Sequence, residues 1–259
     1  MRRQLVAGNW KMHGSLEANS SLLQALVAAA PATCDVAVCV PFPYLAQAQQ
    51  LLAGSSIALG AQDCSMHEQG AFTGEVSAGM LREFGCGYVI VGHSERRSLH
   101  GEGDAAVAAK AERALAAGLI PIVCVGETLQ QREQEQTEAV IGLQLDAVAH
   151  LLGRHAARIV LAYEPVWAIG SGATPTPDDV QQACSAIRTV LGEVVGPTVA
   201  GATRILYGGS VHPDNTADLV AGPDVDGVLV GGASLQAESF AAIAGAAAAA
   251  AVAASGRRR

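Results

Sequence analysis

The sequence predicts a single-domain (β/α)8 barrel, and three observations carry that expectation. Eight short, apolar, mostly β-branched runs recur along 259 residues, stretches of helical period separate them, and no linker or shift of composition divides the chain. A closed parallel barrel of about 250 residues commonly forms one unit. Half of the residues are apolar, enough to bury a large core, which excludes a disordered chain.

The runs fall at residues 5–7, 36–40, 57–59, 88–91, 120–125, 159–162, 204–207 and 225–230. Each is too short for a helix and lacks strict alternation, as a strand covered on both faces does. Alanine-, leucine- and glutamine-rich stretches at 16–30, 104–117, 137–152 and 178–191 read as crossover helices. Ser15, Asp104 and Thr176 precede helical residues, where an oxygen-bearing side chain can cap free N–H groups. Gly118 and Gly153 are expected just past helices, where a left-handed cap favours glycine. An open doubly wound sheet is the structural alternative, but the chain lacks the glycine fingerprint of many dinucleotide-binding folds. Residues 1–240 read as the barrel domain and 241–259 as an alanine-rich helix end with a basic tail.

Sixteen basic residues against 24 acidic ones leave a net charge of -8, and three of the basic ones are Arg257, Arg258 and Arg259. The body is therefore more acidic still. A field of that sign repels nucleic acid and anionic membranes, so neither is expected as a partner. An anionic small substrate needs a site of local donors with a well-placed cation. Six scattered cysteines show no zinc spacing and read as reduced, buried thiols of a cytoplasmic protein. The apolar start is broken at Asn9 and Lys11, too early for a signal peptide, and the terminal alanine run is too short to span a bilayer.

In a barrel the chemistry belongs where strands end. The first run leads into Gly8-Asn9-Trp10-Lys11-Met12, placing an amide and an ammonium there. Lys11 can offset a phosphate or a developing oxyanion, although a lysine after a strand is commonly a solvated loop charge. The fourth run leads into Gly92-His93-Ser94-Glu95-Arg96-Arg97. A short helix opening there would present N–H groups that disfavour an imidazolium and keep His93 neutral, able to polarise a carbonyl by donation. Glu95, Arg96 and Arg97 read as ion pairs that hold this loop and a subunit surface. The sixth run leads into Tyr163-Glu164-Pro165-Val166-Trp167. A carboxylate at the end of an apolar strand is costly unless paired or functional, which makes Glu164 the best base candidate. The apolar, glycine-bearing loop after it reads as a lid over the site, or as a loop packed permanently on a neighbour. Gly208-Gly209-Ser210 and Gly231-Gly232 end the last two strands, where close-approaching backbone can aim N–H groups at a phosphate.

Together these segments, with Gly70-Ala71-Phe72-Thr73-Gly74-Glu75, resemble the triosephosphate isomerase family in order and spacing from Val6 to Leu235. The resemblance implies a TIM barrel interconverting dihydroxyacetone phosphate and D-glyceraldehyde 3-phosphate in glycolysis and gluconeogenesis, with no metal or organic cofactor. It implies Glu164 as the proton carrier, His93 as donor to the substrate oxygens, and Lys11 with Asn9 as stabilisers of the enediolate. Gly170, Ser210, Gly231 and Gly232 would contact the phosphate. It also implies a homodimer in which residues 70–75 enter the neighbouring subunit, with Thr73 near that subunit's Asn9 and Lys11; a self-packed loop is the alternative. The chain departs from the family at Ala173-Thr174-Pro175, where lysine, threonine and alanine are common. Pro175 has no N–H to offer Tyr207 when the lid closes, so closure is expected to rely more on Gly170, Gly172 and Ser210. His212, where asparagine is common, is given no role. A sugar-phosphate aldolase or a non-catalytic phosphate-binding scaffold remains as an alternative, though no lysine follows Lys110 to form a Schiff base in a late strand.

Overall fold

The computed structural model describes residues 2–29, 33–168 and 175–256. Eight parallel strands close into a barrel in chain order: β1 (Leu5–Asn9), β2 (Asp35–Val40), β3 (Ile57–Ala61), β4 (Tyr88–Val91), β5 (Ile120–Val125), β6 (Val160–Tyr163), β7 (Arg204–Tyr207) and β8 (Gly227–Val230). Closure is made by β1 against β8, with Leu5 opposite Gly227 and Gly8 opposite Val230. Helices pack outside: α1 (Leu16–Ala29), α2 (Leu45–Leu52), α3 (Ala78–Glu83), α4 (Ser94–His100), α5 (Asp104–Ala116), α6 (Leu129–Glu133), α7 (Thr137–His155), α8 (Pro177–Val195), α9 (Pro197–Ala202), α10 (Pro213–Leu219) and α11 (Ala237–Gly256).

Two apolar layers result from the period of two along each strand. Leu5, Ala7, Ala37, Cys39, Ile90, Ile122, Cys124, Val160, Ala162, Leu206 and Leu229 form one cluster, the filling of the barrel. Val6, Val36, Val38, Val89, Val91, Val123 and Leu161 join the other, which packs on helices. Both faces of every strand are thus covered, which is why the runs read as continuous apolar stretches rather than alternating ones.

Local signals set most element ends. Ser15 Oγ accepts from Ala18 N at 3.1 Å, and Thr176 forms a reciprocal cap with Asp179 at the start of α8. Gly118 follows α5 with φ +84°. Three expectations are corrected. Asp104 lies inside α5, whose N-cap is Gly103; its carboxylate accepts from Arg97 at 2.6 Å instead of capping. Gly153 lies within α7, which continues to His155 because Leu151 and Leu152 still bury an apolar face. The eighth strand begins at Gly227 rather than residue 225, since Asp226 turns its carboxylate onto Arg2, Arg188 and the Ile205 amide.

All six cysteines are free and buried. Burial pushes the Cys34 thiol up to about 11 and those of Cys64, Cys86 and Cys184 to about 12, and lifts Cys39 and Cys124 as well. Thiolate is the reactive form. Native protein at pH 8 is therefore expected to resist alkylation, whereas denatured protein takes six labels by mass spectrometry; a rapidly labelled native cysteine would contradict this burial.

Candidate active site

The cleft at the strand ends is built first by β1. Trp10, fully buried, anchors the chain below it, and its main-chain N–H donates to the Cys39 carbonyl at 3.1 Å. Lys11 then adopts φ +53°. A left-handed conformation costs a non-glycine residue about 1–3 kcal/mol and persists only where its surroundings enforce it. Here Asn9 Oδ1 accepts the Lys11 N–H at 3.0 Å, while Nζ reaches Glu95 Oε1 on α4 at 2.5 Å. The strain turns the ammonium across the mouth.

After β4, Gly92 has φ +68°, and a side chain there would also meet Val107 at 2.7 Å. This turn delivers His93 to the N-cap of α4. Its Nδ1 accepts the Glu95 N–H at 3.2 Å, and its Nε2 lies 2.8 Å from Glu164 Oε1. With Nδ1 an acceptor, the ring proton sits on Nε2, facing the cleft. Glu164 follows β6 and is 3% exposed; its Oε2 accepts the Ser94 N–H at 2.8 Å. Burial works against both charges. It is outweighed at Glu164 by His93 and the Ser94 bonds, which hold the carboxyl below its ordinary range, and at His93 by Glu164, which lifts the imidazole above its own. The expected neutral ring is thus supported by the acceptor role of Nδ1 but opposed, while Glu164 rests on it, by that carboxylate.

Asn9, Lys11, His93, Glu164 and Gly231 line one cleft, together with Gly208, Gly209 and Leu229. Ser210 ends the β7 segment with its carbonyl accepting from Asn215 at 3.0 Å, and Gly232 opens a 3-10 turn to Leu235. Neither is among the residues that line the cleft. Gly170 lies outside the described residues. Among those residues no group of three His, Cys, Asp or Glu side chains could hold a metal ion, and no helix is long and apolar enough to cross a membrane.

A family model described as triosephosphate isomerase matches residues 4–247. The chain belongs to the triosephosphate isomerase family. Proteins of that name from Cupriavidus taiwanensis and Cupriavidus pinatubonensis are 59% and 58% identical to it over 250 and 247 residues, covering 95% of this chain and 100% of each relative. The one from Thiobacillus denitrificans is 59% identical over 248 residues, 95% of this chain and 99% of its own.

The candidate site has supports that strand-end reasoning did not single out. Glu127, fully buried after β5, accepts from Tyr163 Oη at 3.2 Å and Trp167 Nε1 at 2.9 Å. It thereby holds residues on both sides of Glu164. Arg132 stacks 4.3 Å above the Trp167 ring and reaches Glu127 at 3.5 Å. A carboxylate two residues past an apolar strand is the same signal that marks Glu164, and it marks Glu127 equally. On the other side, Arg96 bonds Glu102 and Asp63, and Arg97 bonds Asp104 and the Gly92 and Cys124 carbonyls. These fix α4 and with it His93, as the ion-pair reading of this segment anticipates. The Tyr207 hydroxyl packs under Gly209 with no well-formed hydrogen bond among the described residues, and burial pushes its pKa up to about 12. Pro175 brings it none.

Beside the cleft runs a broader groove shared by Asn9, Lys11, Met12, Phe42, Gln62 and Leu99. Met12 is 94% and Leu99 77% exposed. Residues 70–75 project elsewhere on the surface, where Phe72 stacks on His67 with ring centroids 3.7 Å apart.

Proposed function

We propose that Glu164 carries a proton between neighbouring carbons of a triose phosphate while His93, Lys11 and Asn9 hold the charge that accumulates on oxygen. As a triosephosphate isomerase, the chain interconverts dihydroxyacetone phosphate and D-glyceraldehyde 3-phosphate. A single observation carries the assignment: a buried carboxylate kept ionised, 2.8 Å from an imidazole nitrogen and in one cleft with a lysine and an asparagine. A proton beside a carbonyl leaves slowly because the oxygen must take up charge, so the base needs preorganised donors opposite it. Lys11, already turned toward the cleft by its strained backbone, supplies the cation. His93 supplies the Nε2 proton. When Glu164 moves from the imidazole to the substrate, the main group that raises the His93 pKa departs; the Glu95 carboxylate still raises it, while burial, Lys11 and the Glu95 amide on Nδ1 favour the neutral ring.

The phosphate is assigned to Ser210, Gly231, Gly232 and Gly170. Gly231 lies beside the Lys11 side chain, and the leading amides of the turn begun by Gly232 lack partners within it. Water exclusion would protect an enediolate that can otherwise expel its phosphate. No cofactor or metal enters this scheme. Residues 1–240 are taken as the barrel domain and 241–259 as its helical end and tail; Phe240, Ile243 and Ala244 bury the start of that end against the core. Residues 70–75 are taken to seat in the exposed apolar groove of a second copy, giving a homodimer, and six buried reduced thiols fit a cytoplasmic setting.

Turnover in D2O tests the proton-transfer scheme. Deuterium is expected on the product carbon that receives the proton, and in recovered substrate, as read by NMR. Product and recovered substrate that both stay free of deuterium over many turnovers would mean that the migrating hydrogen never exchanges with solvent, as in a hydride shift, and would count against it.

A further inference from the structure

We propose that Gln144 is a positioning residue for the isomerisation, acting through the Gly126 peptide on the main chain that carries Glu164. The inference rests on the assignment of Glu164 as the base.

The buried stripe of α7 contains Ile141, Gln144, Leu145, Val148, Leu151 and Leu152. Gln144, 8% exposed, occupies a place where this pattern calls for an apolar side chain. Burying an unpartnered amide costs roughly 1–3 kcal/mol, so its presence demands partners. It has two, and both belong to one residue. Gln144 Oε1 accepts the Gly126 N–H at 2.8 Å, and Nε2 donates to the Gly126 carbonyl at 3.2 Å. A carboxamide bound to both main-chain groups of one residue fixes that residue's orientation as a neighbouring strand would.

Gly126 comes directly after β5, where it has turned its polar groups outward. It lies flush against Glu164: a Cβ at Gly126 would sit 1.9 Å from the Glu164 carbonyl oxygen. The bonds on either side of this contact run from Glu164 N to Val125 O at 2.8 Å and from Val166 N to Glu127 O at 3.2 Å. Gly126 is thus the middle of a three-residue segment that holds residues 164–166 from one side, and Gln144 holds that segment from the other. Glu127, the next residue, binds Tyr163 and Trp167. Releasing the Gly126 peptide would let it rotate and displace Glu164 and its flanking residues together, although Gln144 touches none of the reacting groups.

The test compares Gln144→Met, which keeps the volume and removes both bonds, with Gln144→Glu, which keeps only an acceptor. Thermal melts establish that each variant is folded. Since misplacement of a reacting group by about 1 Å can cost 10²-fold, Gln144→Met is expected to lower kcat by roughly tenfold with KM changed by less than about twofold. Combined with Glu164→Asp, whose carboxylate is already displaced, the same change is expected to cost less than about threefold further, because residues acting through one contact are not additive. A purely structural residue would move the melting temperature and leave kcat per folded molecule unchanged. Wild-type kcat in folded Gln144→Met, or an additive cycle, overturns the proposal. Should Gln144→Met fail to fold, Gln144→Glu carries the same cycle. Failure of the underlying assignment shows separately, as a Glu164→Asp enzyme of undiminished kcat.

Discussion

Glu164→Asp is expected to lower kcat by roughly 10²–10³-fold while KM for either triose phosphate changes by only a few-fold. Aspartate keeps the charge but withdraws the carboxylate by about one methylene, and a positioned base contributes roughly 10²–10⁴-fold to such a reaction. Of the phosphate ligands proposed here, Ser210, Gly231 and Gly232 follow β7 and β8, on other strands than the one that carries this change. The surroundings of Glu164 leave little room for compensation. Its Oε2 is bonded to the Ser94 amide, its Oε1 to His93, and a Cβ at Gly208 would sit 3.1 Å from its Cγ. Aspartate cannot keep both bonds without shifting β6, which the Val125 and Tyr163 ladder bonds oppose. Steady-state assays in both directions, coupled to consumption of the product, provide the measurement. A proportional rise in KM with kcat intact would assign Glu164 to binding rather than to proton transfer.

The barrel is legible in the sequence because its strands are covered on both faces: residues such as Ile120–Val125 carry no alternation and admit few alternatives to a buried parallel strand. Site residues at strand ends are legible for a related reason. A polar group there interrupts an apolar run, as Asn9, His93 and Glu164 do. What local pattern misses depends on distant partners. Asp104 resembles a cap until Arg97 is seen to claim it, and Gly153 resembles a terminator until the packing of Leu151 and Leu152 carries α7 past it. The left-handed backbone of Lys11 is not evident from sequence, since beside the local bond to Asn9 its support comes from Glu95, 84 residues away. Gln144 does leave a sign, a polar side chain in an apolar stripe, but its partner is evident only once α7 is packed beside the end of β5.

Thr73→Arg is expected to yield a monomer by sedimentation velocity and to cost roughly 10²-fold in kcat/KM, the scale of loss that follows a small misplacement of catalytic groups. Thr73 lies at the tip of residues 70–75, with Phe72 held outward on His67 and 40% exposed. The groove proposed to receive this segment has apolar walls in Met12, Phe42 and Leu99, and an exposed cluster of that kind marks an interaction surface more often than a free one. The same groove contains Lys11 and Arg96. A guanidinium introduced at the tip would bring bulk and lose hydration beside cations already paired, Lys11 with Glu95 and Arg96 with Asp63, while threonine brings a small hydroxyl. The proposed dimer ties activity to assembly because Asn9 and Lys11 line both the groove and the candidate cleft. Without a neighbour, the strained Lys11 backbone keeps its bond to Asn9 but the side chain loses cover on its open side, and the ammonium can leave Glu95 and the cleft for water. Wild-type protein that sediments as a monomer at micromolar concentration would overturn the dimer, and a dimeric and fully active Thr73→Arg variant would place the assembly surface elsewhere.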